Sequence, residues 1–110
     1  LHLALGDQAR MVACSANKPQ IGHCLGAAGA VELALTALAV RDAFVPPTLN
    51  LDDPDPGCDL DATPGAGRPR RIRAALKLSL GFGGHLAAAV VRRVEPTRAS
   101  SLASPGVENP

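Results

Sequence analysis

The amino-acid sequence predicts a small α/β fold that is incomplete on its own. Its order is strand, helix, long loop, strand, strand, within 110 residues. Three observations point to it. Residues 22–41 form an almost uninterrupted apolar run of helical length. Residues 73–80 and 86–94 are two short apolar stretches joined by the glycine-rich "GFGGH". Between run and stretches lies a segment, 45–71, with six prolines, five aspartates and three glycines. Such a loop is too long for a plain connection, so it is expected to be functional or to wrap a neighbour.

Each element has its own signal. "LHLALGDQAR" (1–10) reads as the end of a helix, with Gly6 as its stop. It has neither a methionine nor a basic n-region, so it is not read as a signal peptide, and the chain is expected to begin within a fold. "MVACS" (11–15) is a short apolar run between turn formers and predicts a buried strand. Pro19 and Gly22 break the loop that follows. The helix core "AVELALTALAV" is apolar nearly all round, so the helix is expected to be buried on most sides. Gly26 to Ala30 are small and would let another backbone approach. "RAALKLSL" and "LAAAVVRRV" suit an antiparallel hairpin. The boundaries are 1–94 for the folded segment and 95–110 for a tail with no periodic apolar face, expected to be disordered. Strands this rich in Ala, Val and Leu need cover on both faces, and one helix covers one.

Composition narrows the function. Ala supplies 20 residues and Leu, Ile, Val and Phe together 27, with two Phe and no Trp or Tyr. Such a core buries modest area per residue, so self-sufficiency is not expected. The net charge is +1 and no basic face with interleaved aromatics exists, so no nucleic-acid partner is expected. The dense positive run Arg68, Arg70, Arg71, Arg73 reads as a solvated loop. No apolar run reaches the roughly 18 residues that cross a bilayer, so no membrane partner is expected. Cys14, Cys24 and Cys58 are odd in number and contain no CxxC, which points to a reducing cytoplasm and not to a disulfide frame or a zinc ribbon.

A few residues stand out chemically. Glu32 is an isolated carboxylate in an apolar helix, which is unfavourable by several kcal/mol unless it is paired or protonated (about 3–5 in a fully buried case). Lys18 is the nearest candidate cation; the alternative is that Glu32 points out through a solvent gap. His23 sits where the helix is expected to begin. There the dipole helps to keep an imidazole neutral, so it could polarise a carbonyl or merely cap the helix. In "GFGGH", Phe82 is either a movable plug whose N–H serves an anion or the core anchor of a tight hairpin. "GHCLGAAG" could cradle a phosphate, but it lacks Gly-Lys-Ser/Thr and the G-x-G-x-x-G spacing. His23, Cys24 and His85 lack the second spaced pair that a metal site needs.

Taken together, Lys18, Gly22, His23, Gly26, Ala27, Ala28, Gly29 and Glu32 meet the pattern Lys-x-x-x-Gly-His-x-x-Gly-Ala-Ala-Gly-x-x-Glu. "PPTLNLDDPDPGCDLD" (46–61) and "LSLGFGGHLAAAVVRR" (78–93) follow in order. From about residue 3 to 93 the chain resembles the C-terminal part of the β-ketoacyl-acyl carrier protein synthases, the ketosynthases of fatty acid and polyketide assembly. The resemblance implies a layered thiolase-like fold, of which this would be the C-terminal half. It implies a decarboxylative Claisen condensation of a malonyl carrier protein with an acyl-enzyme. His23 would hydrogen-bond the malonyl thioester carbonyl, and Lys18 and Glu32 would form a buried pair beside it. The Phe82 N–H would complete an oxyanion hole while its ring gates acyl entry. It implies no resident cofactor, because substrates ride on the phosphopantetheine of an acyl carrier protein. The implied partners are that carrier, an N-terminal ketosynthase half or partner ketosynthase subunit, and a dimeric parent enzyme.

The sequence departs from the family in several places. The family's nucleophilic cysteine and its His-Gly-Thr-x-Thr histidine lie upstream and are not in this chain, so activity is not expected from it alone. "KLSL" stands for Ser-Asn-Ser-Phe, and Leu86 for Asn. Lys77, Leu78, Leu80 and Leu86 are each expected to remove a polar contact. An alternative reading is therefore a non-catalytic, degenerate ketosynthase module that docks on a partner ketosynthase.

Overall fold

A computed structural model describes residues 1–94; the expectation for 95–110 lies outside the described residues. A short helix α1 (His2–Leu5) ends at Gly6, whose φ of 55° lies in the left-handed region, and a 3-10 turn follows over Gly6–Met11. Then come α2 (Lys18–Ile21), a 3-10 turn at Leu25–Ala27, and the main helix α3 (Ala28–Asp42). The strands are β1 (Phe44–Val45), β2 (Arg68–Pro69), β3 (Ala74–Gly81) and β4 (His85–Arg92).

β3 and β4 form the expected antiparallel hairpin, in register from Ala74↔Arg92 to Gly81↔His85. α3 packs against both of its strands. Alternation along β3 puts Ala75, Lys77 and Ser79 on the helix side, opposite Val91, Ala89 and Ala87. The other face carries Leu76, Leu78, Leu80, Leu86 and Val90, all exposed. No third strand pairs with the hairpin among the described residues.

α3 stops because Ala43 turns left-handed, at φ 53° and ψ 47°, and Pro46 and Pro47 follow three and four residues later. Arg93, just past β4, donates to the Val40 carbonyl at 3.0 Å, which places a cation at the negative end of the helix.

Three expectations need correction. The run 11–15 is not a buried strand. Met11 closes the preceding 3-10 turn, and the only pairing is an isolated parallel bridge, Ala13↔Asp61, with the Cys14 N–H donating to Asp61 O at 2.7 Å. A strand needs a partner along its length, and here one loop residue offers an edge. The helix expected from 22 begins only at Ala28, because Gly22 (φ 80°) and Leu25 (φ 47°) take left-handed turns before it. Nor is it buried on most sides. Only Ala28 and Val40 are buried, and Val31, Leu33 and Leu38 are exposed. Two strands about 5 Å apart are too narrow to wrap a helix about 10 Å wide.

The arginine run is not simply solvated either. Arg68 pairs with Asp61, Arg70 lies 3.8 Å from the same carboxylate, and Arg70 Nη2 donates to Met11 O at 2.7 Å. Together with the β1–β2 pairing and the Thr48↔Pro64 bridge, these contacts fold the long loop back on itself. His2 and Arg10 both reach Asp59, at 2.5 and 2.8 Å, and tie the start of the chain to that loop.

Candidate functional site

α2 is set by proline chemistry: Pro19 occupies an early helical position, where its missing N–H is harmless, and Gly22 terminates the turn. The loop beyond β1 fastens this segment. Gln20 Nε2 donates to Pro47 O at 2.5 Å, and the Ala16 N–H donates to Thr48 Oγ1 at 3.1 Å. Lys18, the first residue of α2, is thereby held over the first turns of α3.

Glu32 lies on the face of α3 that meets β3. Lys18 Nζ donates to Glu32 Oε1, while Lys77 Nζ lies 2.9 Å from Glu32 Oε2. The Glu32 side chain is 13% exposed, Lys77 8% and Lys18 45%. The lone carboxylate of the apolar helix is thus paired twice, once with a half-exposed lysine and once with a buried one. The hydrogen bond from Lys18 is the largest influence on Glu32 and holds its carboxyl below the usual 4.5. Burial pushes the other way, and the hydrogen bond from Lys77 again lowers it.

Lys77 was expected to remove a polar contact. It makes two instead, to Glu32 and to Ser79 Oγ. Sequence reasoning missed it as a partner of Glu32. The available signal was a single charge at an inward position of an apolar strand. The three charged groups line a cleft of about 230 Å³, together with Ser15, Asn17 and Thr36.

His23 sits in the connector between α2 and the 3-10 turn, not at the mouth of α3, so the dipole argument does not apply to it. Its ring is fixed in another way. Nδ1 accepts the Leu25 N–H at 2.9 Å. An N–H can only donate, so in the neutral ring the hydrogen resides on Nε2. The bond satisfies one free donor of the 3-10 turn and leaves Nε2–H as an outward donor on an exposed side chain. Leu25, which supplies the N–H, is a non-glycine residue at φ 47°, a strained conformation of the kind that clusters at functional sites.

Phe82 occupies the three-residue loop between β3 and β4. Gly83 (φ 78°) and Gly84 (φ 80°) make that loop possible. The hairpin is tight, yet Phe82 is no core anchor: it is 99% exposed. The structure therefore joins Lys18 and Glu32 directly. No hydrogen bond links His23 or Phe82 to that pair among the described residues.

All three cysteines are free. Burial, then Asp61, then Cys58 push the Cys14 thiol up from its ordinary value, which makes it a poor nucleophile. No cluster of three metal-ligating side chains occurs among the described residues.

Residues 1–52 match the family described as beta-ketoacyl synthase, C-terminal domain. The chain is 46% identical over 95 residues to the tetracenomycin polyketide synthase ketoacyl synthase alpha subunit of Streptomyces glaucescens, covering 86% of the chain and 22% of that protein. It is 49% identical over 89 residues to a 3-oxoacyl-[acyl-carrier-protein] synthase 2 of Rhizobium meliloti (strain 1021), covering 81% and 21%. A type II PKS ketosynthase, solved in complex with its acyl-carrier protein and bound to the hexaketide, superposes with a TM-score of 0.82 at 39% identity. That match covers 86% of this chain and 23% of the solved one. The chain spans about a fifth of the length of the curated relatives it matches. Its fold is accordingly a part of the ketosynthase fold, and its sequence is similar to the C-terminal part of the β-ketoacyl-acyl carrier protein synthases.

Proposed function

We propose that residues 1–94 supply the C-terminal share of a condensing site. The reaction joins a malonyl group on an acyl carrier protein to an acyl-enzyme. The bond between the malonyl α-carbon and its carboxylate breaks, CO2 leaves, and the electron pair passes into the thioester as an enolate. The enolate carbon then attacks the acyl carbonyl and expels the enzyme thiolate. Negative charge develops on the malonyl thioester oxygen, and a positioned N–H donor stabilises it. His23 Nε2–H is that donor, and the accepting bond at Nδ1 is the observation that carries the reading.

Lys18 and Glu32 brace the segment that carries His23, since Lys18 lies five residues before it and is tied to α3. The N–H of Phe82 is the second donor, to the acyl carbonyl oxygen, and its exposed ring is the gate for the acyl chain. The nucleophilic thiol and the second histidine come from an N-terminal ketosynthase half or a partner ketosynthase subunit, in a dimeric parent enzyme. The substrates arrive on the phosphopantetheine of an acyl carrier protein, and no resident cofactor is required. The similarity to a polyketide synthase ketoacyl synthase subunit and to a 3-oxoacyl-[acyl-carrier-protein] synthase supports this substrate class. Three unbridged cysteines favour a reducing cytoplasm as its place.

The test is to add the chain to a separately expressed N-terminal ketosynthase half and follow malonyl decarboxylation. The expected result is turnover that falls by about 10²–10³ with His23→Ala, the usual loss of one such donor. Turnover that His23→Ala leaves intact would overturn the assignment. A complex that forms without turnover would favour the second reading, a docking module. The exposed Leu78, Leu80 and Leu86 support that reading, since they stand where the family carries polar or aromatic residues.

A further inference from the structure

We propose that Lys77 is a positioning residue of the condensing site, a second cation that holds the Glu32 oxygen left free by Lys18 and so locks α3 against β3. This rests on the function proposed above for the Lys18–Glu32 pair.

Several observations carry the inference. Lys77 lies at an inward position of β3, flanked along the strand by Ala75 and Ser79 and opposite Ala89 on β4. It is 8% exposed, so its ammonium is nearly cut off from water. Such a group is tolerated only where hydrogen-bond acceptors and a counter-charge receive it. Glu32 Oε2 at 2.9 Å supplies the charge, and Ser79 Oγ a further acceptor. The groups facing Glu32 are Lys18 from α2 and Lys77 from β3. β4 presents Ala87, Ala89 and Val91, which carry no charge.

The two lysines are not equivalent. Lys18 is 45% exposed, so water and salt compete with it for the carboxylate. Lys77 is shielded from both. Lys18 on α2 can therefore loosen while Lys77 on β3 still holds the carboxylate, and α3 keeps its depth over the hairpin. Two ammoniums against one carboxylate also leave a surplus positive charge on the cleft wall.

The test is carbon NMR of the Glu32 carboxylate as a function of pH. It is run on the isotope-labelled full chain in complex with an unlabelled, separately expressed N-terminal ketosynthase half. The chain has three glutamates, and Glu32→Gln identifies the signal. The wild-type midpoint is expected below 4.5. Lys18→Met and Lys77→Met should each raise it part of the way. The double variant should bring it to or above 4.5, because only burial then acts. Lys77→Arg should keep it low. Added salt should raise the midpoint in Lys77→Met, where only Lys18 remains, and move it less in Lys18→Met.

A Lys77→Met midpoint equal to wild type, with hairpin amide signals in place, would overturn the proposal. So would a Lys18→Met chain titrating at 4.5. If Lys77→Met fails to fold, Lys18→Met and Lys77→Arg decide. The pH profile of decarboxylation separates this inference from the functional one. Active enzyme whose acid limb does not move in Lys77→Met loses the inference and keeps the function. Inactive enzyme with the split titration loses the function and keeps the contact.

Discussion

Glu32 and Lys77, on facing elements α3 and β3, meet at 2.9 Å through the one carboxylate oxygen that Lys18 does not take. The contact buries a full charge from each element, so its worth depends on both remaining ionised.

Stability should depend on pH through this carboxylate. Its folded pKa lies below the ordinary 4.5, so near that pH the unfolded chain binds more protons than the folded one. The contribution is fully present above 4.5 and is lost as pH falls through the lowered value. Denaturant melts over this acid window should show stability falling with pH in wild type and a flatter profile in Glu32→Gln. At neutral pH Glu32→Gln should also lose about 3 kcal/mol, the lower end for stranding a buried ammonium. Equal stability of the two proteins would count against the pairing.

Gly67 should tolerate no side chain. A Cβ there would lie 2.5 Å from the Phe44 ring and 2.7 Å from Val45 O. Gly67→Ala is expected to destabilise by about 1–3 kcal/mol. Adding Phe44→Ala should relieve the ring clash but not the one with the carbonyl, which belongs to the backbone. Thermal melts of wild type and both variants check this, and an unchanged midpoint in Gly67→Ala would refute the close packing of β1 on β2.

The cysteines should differ in reactivity near neutral pH. Cys58 is exposed, whereas burial, Asp61 and Cys58 hold the Cys14 thiol in its protonated form. A time course of alkylation read by mass spectrometry should show Cys58 modified before Cys14. Preferential labelling of Cys14 would count against the burial that holds its thiol protonated.

Much of this arrangement was legible in the residues, for physical reasons that also mark where reading failed. The hairpin was readable because three glycines interrupt two apolar stretches, and positive φ at Gly83 and Gly84 is what those glycines supply. The partnership of Glu32 with Lys18 was foreseen because an unpaired carboxylate is unfavourable in an apolar helix. The start of α3 was not foreseen: Leu25 adopts a left-handed conformation that leucine ordinarily avoids, so nothing in its chemistry announced the break. With that break, His23 lost its expected place at a helix terminus and gained a different anchor, the Leu25 N–H. The strand expected at 11–15 failed because its partner is a matter of tertiary context. Lys77 reads as a loss against the family pattern, although its alternation along β3 places it on the face that meets α3, where Glu32 lies.

The two-stranded hairpin has a consequence for handling the protein. Each outer strand presents a free row of backbone donors and acceptors beside a plate of leucines. Among the described residues nothing blunts those edges: eight residues per strand run without a proline or a bulge. Any extended segment of suitable register can zip onto them, in order if it is the sheet's natural continuation and out of order if it is another copy. Co-expression with a companion that extends the sheet should therefore raise the soluble share of the protein, and concentrating it without one should lower that share.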